Sequence, residues 1–138
     1  MHPYTGRCLC GHVSYRVAAE PRHTGLCHCR DCQRVTGSAF AAYMCFATSD
    51  VTITGTTKRS VARSGRGTET VRNFCPECGT TVYGGELSGE TINIYAGTLD
   101  DPDRFVPGAM VYTRSRQLWS HIEPGTLYEM ERIPGHQD

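Results

Sequence analysis

The chain has 138 residues and a mass of 15.2 kDa, which suits one domain of ordinary size with a modest core. Its 14 basic and 14 acidic side chains balance to zero formal net charge, which argues against global attraction to nucleic acid or anionic membranes. Since no apolar run resembles a signal peptide or approaches the roughly 20 residues of a membrane span, we expect a cytoplasmic protein with no membrane partner.

Short segments with strand-like patterns recur along the chain. The first, HVSYRV at 12–17, alternates Val13, Tyr15 and Val17 with polar residues, which is the period of a half-buried strand. Further strands are predicted, in chain order, at 38–48, 51–55, 69–74, 81–85, 91–97, 109–113 and 117–122. Many short strands separated by Gly-containing turns predict a mainly β domain.

Helix and loop signals are few. CRDCQRVTG at 29–37 predicts one short helix, with Gly37 as its stop. The segments 63–69 and 97–105 are predicted to be surface loops whose basic residues are solvated. Because neither a linker nor a repeat interrupts the chain, residues 1–138 are predicted to form a single domain.

Seven of the eight cysteines fall into three clusters: Cys8 and Cys10, then Cys27, Cys29 and Cys32, then Cys75 and Cys78. In a reducing cytosol, such spacings indicate metal binding rather than disulfides. A secreted disulfide framework is the alternative, because eight is an even number.

The third cluster is a zinc-knuckle pattern. In FCPECGT at 74–80, two thiolates flank a short turn in which Pro76 fixes φ and Gly79 lets the backbone bend. The alternative is a redox C-x-x-C motif, but the surrounding βαβ pattern of that motif is missing.

A structural zinc site needs four ligands, so the knuckle needs two more. Cys8 and Cys10 are the remaining pair, and their side chains would leave an extended segment on the same side. Together with Cys75 and Cys78 they would close a four-sulfur site, which we call the four-cysteine group.

This assignment leaves Cys27, Cys29 and Cys32 as a three-cysteine group. Cys45, in the apolar run YMCFA, is expected in the core, with a fourth ligand or a reactive thiol as the alternatives. Three protein ligands and one open position are typical of catalytic zinc, so two zinc ions per chain are expected. Three thiolates weaken zinc as a Lewis acid but suit it to bind a soft thiol.

Four motifs and their order along the chain resemble those of a known family. The motifs are GRCLCGHV (6–13), CHCRDCQRVTG (27–37), CPECGT (75–80) and GTLDD (97–101). Over residues 6 to 122 the chain resembles the glutathione-dependent formaldehyde-activating enzymes. The resemblance implies a β-tent, a mainly β fold of small antiparallel sheets around zinc. It also implies structural zinc at the four-cysteine group and catalytic zinc at the three-cysteine group.

The activity implied by this resemblance is a carbon–sulfur lyase step that interconverts formaldehyde plus glutathione with S-hydroxymethylglutathione. The expected partner is therefore a small thiol such as glutathione or its aldehyde adduct. Candidate side chains for binding it are Arg30 and Arg34, which flank the three cysteines, and further Arg114, Arg116, Tyr43, Tyr95, Tyr112 and Trp119. Each of these is more simply a surface arginine or a core aromatic.

His28 lies between two of the predicted ligands. It could relay protons, be exposed to solvent or support a neighbouring ligand. Two other functions are also compatible with the cysteines: a protein-interaction module with two structural zinc ions, and a redox sensor that releases metal on oxidation.

Overall fold

A computed structural model describes residues 2–65 and 67–120 of the protein, and of residues 129–130 the backbone. The strands are Tyr4–Arg7 (β1), Ser14–Val17 (β2), His23–Cys27 (β3), Ala41–Ala47 (β4), Val51–Thr54 (β5), Lys58–Arg63 (β6), Glu69–Phe74 (β7), Thr81–Gly85 (β8), Thr91–Tyr95 (β9), Met110–Val111 (β10) and Glu129–Met130 (β11). Within the described ranges the α-helix is Arg30–Thr36 (α1). None of the described helices is long and apolar enough to cross a membrane. The fold is mainly β, as predicted.

The strands form two sheets. A small antiparallel sheet has the order β1-β2-β5, and a larger sheet has the order β11-β10-β3-β4-β9-β8-β7-β6. Most neighbours in the larger sheet are antiparallel, but β10 runs parallel to β3 and to β11. Because β3 lies inside this sheet and ends at Cys27, the sheet fixes the start of the segment that carries the three cysteines.

The core lies between the small sheet and one face of the larger sheet, which we call the inner face. Val17 of β2 packs there with Phe46 of β4 and with Ile92 and Ile94 of β9, and all four are fully buried. The alternation of β4 and β9 that turns these side chains inward turns Tyr43 and Tyr95 to the opposite side.

We call that opposite side the outer face and define it by cross-strand pairs, because directly paired residues share a side of a sheet. Tyr43 pairs with Tyr95 across β4 and β9. Gly84 of β8 pairs with Asn93 of β9, and Arg72 of β7 pairs with Gly84. The outer face therefore carries Arg72 and two tyrosines on the same side of the sheet.

Most of the predicted strands are confirmed. Segments 69–74 and 81–85 have the predicted bounds, whereas those beginning at 12, 38, 51, 91 and 109 are shorter than predicted. The sequence patterns missed β1, β3, β6 and β11. In β6 all six side chains are exposed at the sheet edge, so no apolar alternation marks this strand.

The strand predicted at 117–122 is wrong over residues 117–120. The N–H of Ser120 donates to the carbonyl of Gln117 over 3.0 Å, which closes a turn. Leu118 and Trp119 are both exposed, so these apolar side chains do not face the core. Residues 121 and 122 lie outside the described residues.

The loop prediction for 97–105 needs one correction. This segment carries short 3₁₀ turns, but Arg104 is not simply solvated. Its guanidinium lies 3.6 Å from the centre of the Tyr4 ring and donates to the carbonyl of Pro3 over 2.8 Å. Arg104 also lines a cleft of about 520 Å³ with Tyr4, Glu20 and His23, and no cysteine lines this cleft.

Candidate metal centres

The three-cysteine group is assembled by the end of a strand and the start of a helix. Cys27 ends β3, Cys29 is the N-cap of α1, and Cys32 lies in the first turn. The backbone N–H of Cys32 donates to the sulfur of Cys29 over 3.3 Å, as a serine hydroxyl would accept at an N-cap. Gly37 ends the helix with φ of 63°, which confirms the predicted stop.

These elements bring the sulfurs of Cys27, Cys29 and Cys32 within 4.8 Å of one another. All three residues are half-buried, and no fourth cysteine, histidine or carboxylate among the described residues joins them. Cys45 is buried and separate from this group, which confirms the prediction that it lies in the core.

The four-cysteine group is built from two similar turns. The N–H of Gly11 donates to the carbonyl of Cys8 over 3.1 Å, and the N–H of Gly79 donates to the carbonyl of Cys75 over 2.8 Å. Both glycines have positive φ, 83° and 79°, a region that favours glycine. The expectation that Cys8 and Cys10 lie on an extended segment is therefore wrong, because a turn makes them converge.

The distances in this group fit a tetrahedral metal. The sulfur of Cys10 lies 3.7 Å from the sulfur of Cys8 and 3.7 Å from that of Cys75. Four sulfurs at about 2.3 Å from a zinc ion would be roughly 3.8 Å apart. All eight cysteines are free thiols, so the alternative of a disulfide framework is wrong.

Polar groups support the thiolates of the four-cysteine group. The hydroxyl and N–H of Thr80, together with the N–H of Cys10, lower the pKa of Cys78 to about 5. The N–H of Val13 donates to the sulfur of Cys8 over 3.2 Å, and the N–H of Leu9 donates to the Thr80 hydroxyl over 3.1 Å. Hydrogen bonds therefore link the two turns and stabilise negative sulfur.

Hydrogen bonds within the three-cysteine group act unequally on the pKa values of its thiols. Hydrogen bonds from the thiols of Cys27 and Cys32 lower the pKa of Cys29, and the same contacts with Cys29 and Cys32 raise the pKa of Cys27. Close thiolates repel one another, so a second and third negative charge need a cation nearby. Both cysteine groups could therefore hold metal ions, and their all-sulfur donors suit zinc.

Arg72 is a residue of this region that the sequence patterns did not reveal. It is 7% exposed, and its Nε–H donates to the hydroxyl of Tyr95 over 3.1 Å. Its guanidinium is close enough to the sulfur of Cys32 for its charge to oppose the rise in the pKa of that thiol. The alternation of ETVRNF assigns Arg72 to one side of a strand, but only the sheet order places it near the cysteines.

Gln33 is a second residue that was missed. Its side-chain N–H groups donate to the carbonyls of His28 and Ser115 over 2.7 and 2.8 Å. Its oxygen accepts from the side chain of Gln117 over 2.6 Å, and also from Arg30. Gln33 therefore links α1 to the segment after β10 through hydrogen bonds. The sequence patterns could not predict this link, because Ser115 lies 82 residues away along the chain.

The predicted substrate-binding arginines lie at the surface. Arg30 and Arg34 are exposed on α1, at the start and in the last turn of the helix, and Arg114 and Arg116 are exposed too. Their contact with a substrate stays a prediction. Of the aromatic candidates, Tyr43 and Tyr95 lie on the outer face, whereas Trp119 is 65% exposed.

His28 is completely buried, so the expectation of solvent exposure is wrong. Its ring lies 5.4 Å from that of Phe40, and neither ring nitrogen has a hydrogen-bond partner in the described part of the chain. Burial and the nearby charge of Arg116 lower the pKa of His28. The ring therefore packs in surroundings that disfavour its charged form, and a proton relay through it stays a prediction.

Comparison with known proteins gives matches of three kinds. The family described as glutathione-dependent formaldehyde-activating enzyme matches residues 3–115. A Schizosaccharomyces pombe protein named as an uncharacterized lyase is 29% identical over 90 residues, which are 65% of this chain and 63% of that protein. The match thus spans less than two thirds of that relative's length.

The third match is a solved structure. A crystal structure of a Rhodobacter sphaeroides protein superposes with a TM-score of 0.53 at 24% identity, over 75% of this chain and 97% of that one. This similarity concerns the fold alone.

Proposed function

Because the chain belongs to the glutathione-dependent formaldehyde-activating enzyme family, we propose that it is a zinc-dependent carbon–sulfur lyase acting on a small thiol–aldehyde adduct. The observation that carries this proposal is the pair of cysteine groups, one with four sulfurs and the other with three half-buried sulfurs. The lyase name of the yeast relative supports the reaction class.

We assign structural zinc to Cys8, Cys10, Cys75 and Cys78. These residues join the turn after β1 to the turn between β7 and β8, which are 65 residues apart along the chain. Four sulfurs complete a tetrahedral site and leave no position for a substrate. The role of this site is therefore to stabilise the fold.

We assign catalytic zinc to Cys27, Cys29 and Cys32, with the fourth position open to a substrate sulfur. A zinc ion bound there would favour the thiolate form of a substrate thiol at neutral pH. The half-burial of the three cysteines leaves this side accessible while the strand end and the helix cap hold the sulfurs in place. A site of this kind brings thiol and aldehyde together, which is an effect of proximity as well as activation.

The proposed substrate is S-hydroxymethylglutathione or a similar adduct, formed from glutathione and formaldehyde. Arg30 and Arg34 are proposed to attract glutathione carboxylates, because both lie on the helix that carries two of the sulfurs. We propose a cytoplasmic enzyme consisting of one domain, residues 1–138, whose zero net charge argues against a nucleic-acid partner.

Conversion of S-hydroxymethylglutathione by the zinc-loaded protein, followed by proton NMR, tests the activity. We expect a rate above the spontaneous one for the wild type and for Cys45→Ser, and the spontaneous rate for Cys29→Ser. Equal rates with and without wild-type protein would show that this adduct is not the substrate, and the assignment of family and fold would still hold.

Metal analysis tests the cofactor separately. We expect two zinc ions per chain, of which a chelator removes one readily and an added thiol protects that one. Two equally inert ions would contradict the catalytic assignment and favour a protein-interaction module.

A further inference from the structure

Arg72 is a buried cation without a described carboxylate partner. The ion pairs among the described residues are Arg22 with Glu90 and Arg59 with Glu86, and their side chains are largely exposed. Arg72 is instead 7% exposed on the outer face, where its described contacts are Tyr95 and Cys32. Burying a charge is costly unless it is paired, so an anion bound next to this guanidinium would offset the cost of its burial.

The sheet directs Arg72 toward the three-cysteine group. Across β7 and β8 its partner is Gly84, which has no side chain, so the long arginine side chain lies over β8 and reaches β9. There its Nε–H donates to the Tyr95 hydroxyl over 3.1 Å. Tyr95 pairs with Tyr43 of β4, and β4 is the neighbour of β3, which ends at Cys27.

Donors remain on both side chains after this contact. A guanidinium has five N–H groups, and the hydrogen bond to Tyr95 uses the one on Nε. Since the Tyr95 oxygen accepts that bond, its own proton is free to be donated elsewhere. Guanidinium and hydroxyl donors therefore lie together, and the guanidinium is close to Cys32 of the three-cysteine group.

We propose that Arg72 and Tyr95 bind the oxygen of the thiol–aldehyde adduct and stabilise the negative charge that develops on it. This inference rests on the proposed function and deepens it. It defines the ligand class as sulfur compounds with an oxygen, two or three bonds from the sulfur, that carries or develops negative charge.

The chemistry of the adduct explains why an anion-binding pair belongs there. In the direction of synthesis, the substrate sulfur attacks the aldehyde carbon and a C–S bond forms. The electron pair of the C=O π bond moves to oxygen, which becomes an alkoxide and then takes up the proton that the thiol lost. The reverse reaction returns the proton and breaks the C–S bond, so both directions pass through negative oxygen.

Binding of two small thiols to the zinc-loaded protein tests this inference without using the reaction. Mercaptoacetate places its carboxylate oxygens three bonds from its sulfur, and propane-1-thiol has the same reach without oxygen. By titration calorimetry we expect the wild type to prefer mercaptoacetate. Arg72→Gln should reduce this preference by about 10- to 100-fold, the effect of losing a charged hydrogen bond. Tyr95→Phe should reduce it by roughly 3- to 10-fold.

Matched controls separate a local effect from a general one. Arg59→Gln removes an exposed arginine from β6, and Tyr83→Phe removes a hydroxyl from the inner face, so both should keep the wild-type preference. Arg72→Lys keeps the charge without the planar donor group and should retain part of the preference. It also serves where Arg72→Gln fails to fold.

Two results would overturn the inference: a wild type without the preference, or an Arg72→Gln variant that keeps it. An arginine that only balances the sulfur charges would alter the rate of zinc loss to a chelator and leave the mercaptoacetate preference unchanged. If the mercaptoacetate preference depends on Arg72 but the protein does not convert S-hydroxymethylglutathione, the anion site is supported and the proposed substrate is wrong.

Discussion

The two cysteine groups use the same ligand atom in different surroundings. In the four-cysteine group, two turns ending in glycine converge, and nearby N–H groups and a threonine hydroxyl support the sulfurs. In the three-cysteine group, the sulfurs come from one short segment next to a buried arginine and two tyrosines. We expect ligand number and neighbouring side chains, rather than ligand type, to distinguish a site that stabilises the fold from one that can accept a ligand.

The largest expected effect is the loss of one buried sulfur from the four-cysteine group. Cys75→Ser should cost more than about 4 kcal/mol of folding free energy, because structural zinc binding is coupled to folding. Circular dichroism and zinc content measure the result, with the core variant Cys45→Ser as the control. A cooperatively folded Cys75→Ser protein with wild-type stability would contradict the difference between the groups.

The same substitution in the three-cysteine group should act on the site rather than on the fold. Cys29 is the N-cap of α1, and serine is a favoured N-cap, so Cys29→Ser should retain the helix. We expect a stability within about 1 kcal/mol of the wild type and the loss of one zinc ion per chain. Unfolding as complete as that of Cys75→Ser would show that both groups are structural.

Gln33 tests how the three-cysteine group is held in place. Gln33→Leu removes the donors to the carbonyls of His28 and Ser115 and should cost about 1–3 kcal/mol. We also expect a chelator to remove zinc faster from the three-cysteine group, with the four-cysteine group unchanged. Equal acceleration at both groups, measured by stopped-flow release, would mean that Gln33 stabilises only the whole domain.

The smallest effect concerns backbone strain in a cysteine turn. Gly79 has φ of 79° and no atom near an added Cβ, so Gly79→Ala should cost about 1–2 kcal/mol from conformation alone. Gly97 has the same open surroundings without a positive φ, so Gly97→Ala should cost less than about 0.5 kcal/mol. Urea denaturation compares them, and equal costs would reject strain as the cause.

Local patterns were reliable where spacing and chemistry act over a few residues. They predicted the helix near 29–37 with its glycine stop, the turn at Cys75 and Cys78, and most central strands. They failed for β6, whose side chains are all exposed, and for 117–120, where apolar residues face outward. Apolar periodicity marks buried faces. It therefore misses a strand whose side chains are all exposed, and it wrongly predicts a strand where apolar side chains are exposed in a turn.

The sequence by itself determined the family, the mainly β class and the division of seven cysteines into groups of four and three, because these depend on residue type and short spacings. Only the tertiary structure decided which distant side chains lie near the three-cysteine group. Arg72 comes close to Cys32 from β7, and Gln33 joins α1 to Ser115. These contacts depend on strand order and register, which bring residues far apart in the chain within hydrogen-bond distance.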